Sequence, residues 1–292
     1  MNRLLIIQSN CLIAMSFCVS IFAFGFDLHA NMTYFMVAIA LIVLLGVPHG
    51  AIDVLFASQT YGLVTYTSWI KFLIAYIAAA AGIVLAWLVM PNVFFIAFVM
   101  LSMIHFSDDL NMPGINLTKL TYGMSIIVMP SLFYSAELTN LYGMIIDLNV
   151  AQHLVTVCQF LVYPSALLLL IQLLFKKIAL RTSIEIIAVL SVLIALPPLF
   201  SFTLYFCFMH SARHLIRSHF FLNQFTTQTF LKALTLPTAT VMIIGAAIWL
   251  LTSTSSLETD LIRIIFIGLA ALTIPHAWVL KKAKFLTSPH HF

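Results

Sequence analysis

A chain of 292 residues that is 63% hydrophobic and only 8% charged lies far above the apolar share of a water-soluble globular domain. With a mean hydropathy of +1.11 it reads as an integral membrane protein. The net charge of +4 is no nucleic-acid footprint, because no basic patch with interleaved aromatics accompanies it; the sparse cations report orientation instead.

The expected fold class is all-α: a polytopic bundle of transmembrane helices, one domain over residues 1–292 without linker, low-complexity tract or soluble appendage. A span needs roughly 20 apolar residues, fewer inside a bundle. Breaks at Pro, Gly and charged clusters predict, in chain order, segments 8–26, 32–50, 70–90, 92–106, 120–134, 153–175, 182–196, 199–216, 237–252 and 261–280. The first follows Met-Asn-Arg with no small-x-small cleavage site behind it, so a retained span is expected rather than a secretory signal. Segments 92–106 and 120–134 are near the lower length limit, and Pro197-Pro198 can divide one longer span, so eight to ten spans are expected. Cys11, Cys18, Cys158 and Cys207 sit in apolar runs without CxxC spacing and are expected to be small apolar residues, neither disulfides nor zinc ligands.

The ten-span version can be tested against the bias of Lys and Arg toward cytoplasmic loops. With the N-terminus cytoplasmic, Arg263 alone of the 13 Lys and Arg falls on the outer side, which also carries Asp27, Glu137, Asp147, Glu258 and Asp260. The expected protein is therefore a multi-pass protein of the cell (inner) membrane with both termini cytoplasmic.

The same topology sorts the ten histidines. His49 closes the second segment, His105 the fourth, His210 and His214 the eighth, and His276 lies late in the tenth. All five then share one depth, near the cytoplasmic ends of four helices. His29, His153, His219, His290 and His291 fall elsewhere and are read as structural or solvent-facing. An ionisable group within a span is expensive and faces the bundle interior. One such histidine is ordinarily bonded to a neighbouring carbonyl, but five at one depth point to a metal. Imidazole is a common ligand, and the spacing of His210 and His214 puts both rings on one side of a helix. Two more imidazoles from other helices would complete a four-nitrogen site in the bundle core. Asp53 follows His49 at i+4, and Asp108 and Asp109 follow His105 at i+3 and i+4, so on continuing helices each carboxylate lies one turn from its imidazole, where it could accept the second ring N–H. Arg213 and Arg217 are candidates to pair with these acids or to anchor the helix end at the headgroups. Pro48 and Pro275 each precede a histidine and can bend its helix, with Gly46 and Gly50 easing close backbone approach.

The ordered set Pro48-His49-Gly50 with Asp53, His105-Phe106 with Asp108 and Asp109, His210-Ser211-x-Arg213-His214, and Pro275-His276 resembles the bacteriorhodopsin-related family of membrane β-carotene 15,15′-dioxygenases of bacteria and archaea. The resemblance runs from about residue 41 to 280; each motif is short, and the specificity lies in their order. It implies a membrane enzyme that takes β-carotene from the lipid phase and cleaves its central double bond with O2, giving two retinal molecules for a microbial rhodopsin. It further implies an Fe(II) centre held by four histidines, which fall here on His49, His105, His210 and His214. His276 matches the terminal Pro-His motif without an assigned role as a ligand, and Ser107 stands where glycine is expected after His-Phe. Phe202, Tyr205, Phe206, Phe208 and Met209 before His210, and Phe94, Phe95, Phe98 and Met103 before His105, are candidate walls of an apolar tunnel.

Two other classes remain open on the residues alone. A desaturase or hydroxylase of the histidine-box type needs about eight histidines in HxxHH boxes, and this chain has one HxxxH. A transporter or haem-binding carrier would also place histidine pairs on facing spans. Four imidazoles alone would accept zinc or copper as readily as iron.

Overall fold

The computed structural model describes residues 2–25, 32–110, 112, 116–175, 178–253 and 255–285. Asp27, His29, Lys176, Lys177, His290 and His291 lie outside the described residues. Among the described residues every regular element is a helix. In order these are α1 (Asn2–Gly25), α2 (Met32–Leu41), a π-helical segment (Ile42–Gly46), α3 (Pro48–Ala51), α4 (Asp53–Tyr61), α5 (Tyr66–Val89), α6 (Pro91–Ser107), α7 (Leu117–Val128), α8 (Pro130–Phe133) and α9 (Ser135–Gly143). There follow α10 (Leu148–Phe175), α11 (Leu180–Ala195), α12 (Pro198–Leu204), a second π-helical segment (Tyr205–Ser211), α13 (Ala212–Phe221), α14 (Thr227–Thr252) and α15 (Leu257–Lys282).

Local chemistry sets these boundaries. The side chains of Thr65, Asn116, Thr226 and Ser256 each accept from the backbone N–H three residues on, capping α5, α7, α14 and α15. Pro91, Pro130 and Pro198 sit in first helical turns, where their missing N–H costs nothing. Gly62 closes α4 at φ 57°, a left-handed conformation that glycine adopts without strain.

Each segment expected as a span is largely helical over its described residues, and among these, six stretches are long and apolar enough to cross a bilayer: Arg3–Ala23, Met32–Tyr61, Tyr66–Val89, Leu148–Phe175, Thr227–Thr252 and Leu257–Lys282. This is a multi-pass membrane protein. Pro91–Ser107 and Leu117–Phe133 are shorter apolar helices, and α11 has 16 residues. These shorter helices each pack along one side against a neighbour, α7 against both α6 and α10 and α11 against α1. Where α6 meets α7, Gly123 opposes the backbone of Met103 and Ser107; a Cβ there would stand 2.8 Å from Ser107 N. Ser107 in the place of the expected glycine is accommodated by that contact, its hydroxyl donating to Ile104 O at 2.6 Å.

α5, α10 and α14 carry the exposed apolar surface, with Ile77, Phe160 and Ile243 each more than 60% exposed, as lipid-facing residues would be. Cys11 and Cys18 also face outward from α1, whereas Cys158 and Cys207 are buried; all four are free thiols. The interior is not uniformly apolar. Toward one end of the bundle it buries Lys119, Arg213, Arg217, Glu185, Asp53, Asp109 and four histidines. α9 was not expected as an element, yet Leu138, Leu141 and Tyr142 on it repeat at helical spacing and turn inward.

Candidate metal centre

The buried histidines gather at one point. His49 lies with ring centroids 4.9 Å from His210, 5.5 Å from His214 and 5.4 Å from His276. His105 is 4.7 Å from His210 and 6.0 Å from His276, and His214 is 5.1 Å from His276. All five residues that the topology put at one depth thus fall in one cluster, each touching at least two of the others. His153 instead bonds Asn149 O at its own helix start, and His219 is exposed against Phe220 and Phe230.

Two departures from regular helix place these rings. Ile42–Gly46 and Tyr205–Ser211 are both π-helical, and each wide turn rotates the following residues off α-helical register. The two segments pack together: Gly46 has no side chain, and any Cβ on it would collide with the Phe206 ring. Carbonyls loosened ahead of Pro48 find partners across this seam. Ser211 Oγ donates to Leu45 O at 2.6 Å, and Cys207 Sγ to Leu41 O at 3.3 Å. Gly46 O accepts from His49 Nδ1 at 2.6 Å.

That bond is one of a set. A carbonyl or an ionised carboxylate can only accept, so a ring Nδ1 bonded to it carries the proton and Nε2 keeps its lone pair. Nδ1 of His210 contacts Asp109 at 2.9 and 3.1 Å, and Nδ1 of His276 contacts Asp53 at 2.7 Å. Nδ1 of His214 lies 3.3 Å from Ser218 Oγ. Nε2 of His214 and of His276 are buried with no hydrogen-bond partner among the described residues. Nε2 of His105 and His210 stand 3.2 Å apart. Two nitrogens bound about 2.1 Å from one ion at right angles are about 3 Å apart, so this separation suits neighbouring ligands. Ligand nitrogens of His49, His105 and His276 all lie within 4.8 Å of one another. Buried lone pairs without a hydrogen-bond partner, set among other imidazole nitrogens, are costly unless a cation takes them. The donor set fits a divalent transition metal.

The carboxylates do not serve the histidines that precede them. A tightened turn at Ile52 (φ −74°, ψ −1°) interrupts the helix between α3 and α4, and α6 is capped by Asp108 (φ −78°, ψ −5°), so in each case the residue at i+4 turns to a neighbour. Asp53 therefore supports His276, with Tyr76 donating to its other oxygen at 2.8 Å. Asp109 supports His210, with the Tyr205 hydroxyl donating to it as well. Asp108 does not serve a ring: it pairs with Lys119 at 2.8 Å. Arg213 pairs with Glu185 at 2.9 Å and donates to the Asp109 carbonyl and to Gln8, rather than pairing with the carboxylate of Asp53, Asp108 or Asp109. Arg217 donates to the Asp108 carbonyl at 3.1 Å. Both arginines are 2% exposed, so they brace the site from within and do not reach for headgroups. Glu185, Lys119 and Tyr76 were not singled out from sequence; a lone Glu185 inside an apolar run was the available signal for the first.

Two cavities meet at the rings. A small one of about 40 Å³ is lined by His105, Asp108, Asp109, His210, His214 and Arg217, with room for about one water. The other, of about 110 Å³, has His49 and His105 at one end and walls that include Phe95, Phe98, Phe202, Phe206 and Phe266. It extends to Leu138, Leu141 and Tyr142 of α9. Phe202 and Phe206 stack 12° from parallel at 5.2 Å, and Phe206 continues onto His210 at 14° and 5.5 Å. Of the aromatic and Met residues expected to wall a tunnel, Phe95, Phe98, Phe202 and Phe206 line this cavity, while Tyr205 turns to Asp109.

A family model described as beta-carotene 15,15'-dioxygenase matches residues 40–284, a stretch that includes all five clustered histidines. The chain belongs to this dioxygenase family. A relative named beta-carotene 15,15'-dioxygenase, from Uncultured marine bacterium 66A03, is 26% identical over 265 residues, covering 87% of this chain and 94% of the relative. No solved structure matches the chain. The family match begins after α1, yet α1 is bound to the site: Gln8 Nε2 donates to Phe208 O at 2.7 Å while its Oε1 accepts from Arg213.

Proposed function

We propose that this chain cleaves β-carotene at its central 15,15′ double bond with O2, releasing two molecules of retinal, at a mononuclear Fe(II) centre held by His49, His105, His210 and His214. The observation that carries the reading is the convergence of buried imidazoles at the end of an aromatic-walled cavity, in a chain of this family. Iron(II) bound there would supply an O2-reactive centre beside the polyene.

The remaining work belongs to the protein. Asp109 and the Gly46 carbonyl fix the tautomer and aim of His210 and His49. The Phe202–Phe206–His210 stack gives a flat polyene a parallel surface leading to the imidazoles. A hydrocarbon has no group to hydrogen-bond, so shape and exclusion of water are the available means of recognition. A cavity of 110 Å³ is smaller than the ~300–1,000 Å³ of ordinary small-molecule sites, so its walls must part to admit a C40 substrate from the lipid phase. Retinal released into the bilayer would be available to a microbial rhodopsin.

Each of the five imidazoles has at least two of the others at centroid distances of 4.7–6.5 Å, a packing that leaves little room for a macrocycle and weighs against a haem carrier. They are also too few for a histidine-box di-iron site. We place the chain in the cell inner membrane with both termini cytoplasmic; the one-sided distribution of its 13 cations supports this orientation.

The test is chromatography of extracts from β-carotene-accumulating bacteria expressing the chain or its His210→Ala variant. Retinal should appear as β-carotene disappears, and only with the intact chain. Persistence of β-carotene with the protein present in the membrane would refute the substrate.

A further inference from the structure

His276 is built into the site in the same way as His210. Each ring donates its Nδ1–H in a hydrogen bond to a buried aspartate, and each aspartate accepts a second hydrogen bond from a tyrosine: Asp109 from Tyr205, and Asp53 from Tyr76. Each aspartate follows another histidine of the cluster by four residues, across a helix break with ψ near 0°. The two halves are thus cross-linked: the segment carrying His49 supports His276, and the segment carrying His105 supports His210.

A histidine retained only to brace a neighbour would spend both nitrogens on protein partners. His276 does not. Its Nε2 is buried, has no partner among the described residues, and lies within 4.8 Å of the ligand nitrogens of His49 and His105. The ring itself is 3% exposed, so no solvent satisfies that lone pair. We infer that His276 is a fifth imidazole ligand of the metal centre, held in its tautomer and orientation by Asp53 and Tyr76. The inference rests on the metal-centre reading above and extends its ligand set. Its chemical consequence is one position fewer for water on the metal and one more neutral donor facing the seam between α3 and α15.

Cobalt(II) is the probe, loaded into the purified full-length chain in detergent, with metal content, affinity and the ligand-field spectrum as readouts. His276→Ala should weaken Co(II) binding at least tenfold and shift the spectrum. Asp53→Asn should weaken it by about 10–100-fold, the usual effect of losing a carboxylate behind a ligating histidine. His276→Gly should regain the wild-type spectrum on addition of imidazole. His276→Gln keeps the bulk and a donor toward Asp53, and should fold while still binding Co(II) weakly. Wild-type affinity and spectrum in the Gln and Gly variants, with no response to imidazole, would overturn the fifth ligand and leave the four-histidine reading standing. Failure of the wild-type chain to bind Co(II) would instead sink the metal centre itself.

Discussion

Glu185 and Arg213 make the bundle's stability depend on charges held beside the histidines. Their side chains are 5% and 3% exposed, and they meet at 2.9 and 3.2 Å in a two-pronged pair. At 2.9 Å and an effective dielectric of about 20, the attraction is about 6 kcal/mol, most of it offset by the desolvation of both groups. Replacing Glu185 with Leu removes the attraction but leaves the guanidinium buried. Such a loss costs about 3–5 kcal/mol. The lower end is expected, because Arg213 keeps the Asp109 carbonyl and Gln8. Around it, the cations Lys119, Arg213 and Arg217 balance Asp108, Asp109 and Glu185, so the single variant also leaves the cluster one charge in excess. Glu185→Leu combined with Arg213→Met removes both charges and should recover most of the loss, to within about 1 kcal/mol of the parent. The assay is thermal unfolding of the detergent-solubilised chain for parent, both single variants and the double. A single variant as stable as the parent, or a double variant as damaged as the sum of the singles, would refute the reasoning.

Two further outcomes follow from the site. Asp109→Asn weakens the acceptor behind His210 and should lower metal affinity by about 10–100-fold, or ~1.4–2.8 kcal/mol, in a chelator competition; Tyr205→Phe should cost less, since the carboxylate remains. Ser102→Phe puts a ring into the 110 Å³ cavity one turn before His105 and should cut retinal formation at least tenfold while metal content stays at the parent level; unchanged retinal output would mean that the polyene does not use this cavity.

How much of this was legible in the chain depends on the range of each signal. Span positions and the common depth of five histidines follow from hydropathy and from alternation across the membrane, which are sums over many residues and tolerate local irregularity. The partners of the carboxylates do not. Reading Asp53 beneath His49, and Asp109 beneath His105, assumed that the helix continues through i+4. Backbone breaks at Ile52 and Asp108 undo that assumption, and neither residue is a glycine or proline that would have marked it. The π-helical turns are equally silent, since they are stabilised across a seam by Ser211 and Cys207 from a segment some 165 residues away in sequence. Helix α9 did carry a signal, the inward spacing of Leu138, Leu141 and Tyr142, but it lies between the expected spans 120–134 and 153–175 and is too short to cross a bilayer.

The two breaks also explain why the site needs long-range assembly. Had α3 and α6 run on, each histidine would have found its carboxylate within its own helix, and the ring aim would have been a local property of one span. Instead, Asp53 reaches across 223 residues to His276 and Asp109 across 101 to His210. Each bond can form only when two spans are docked, so correct aim of these imidazoles and closure of the bundle are one event. This coupling accounts for the positions of the buried charges. The Glu185–Arg213 pair ties α11 to α13, and Lys119–Asp108 ties α7 to the end of α6, closing around the same rings at the points where the helices themselves give way.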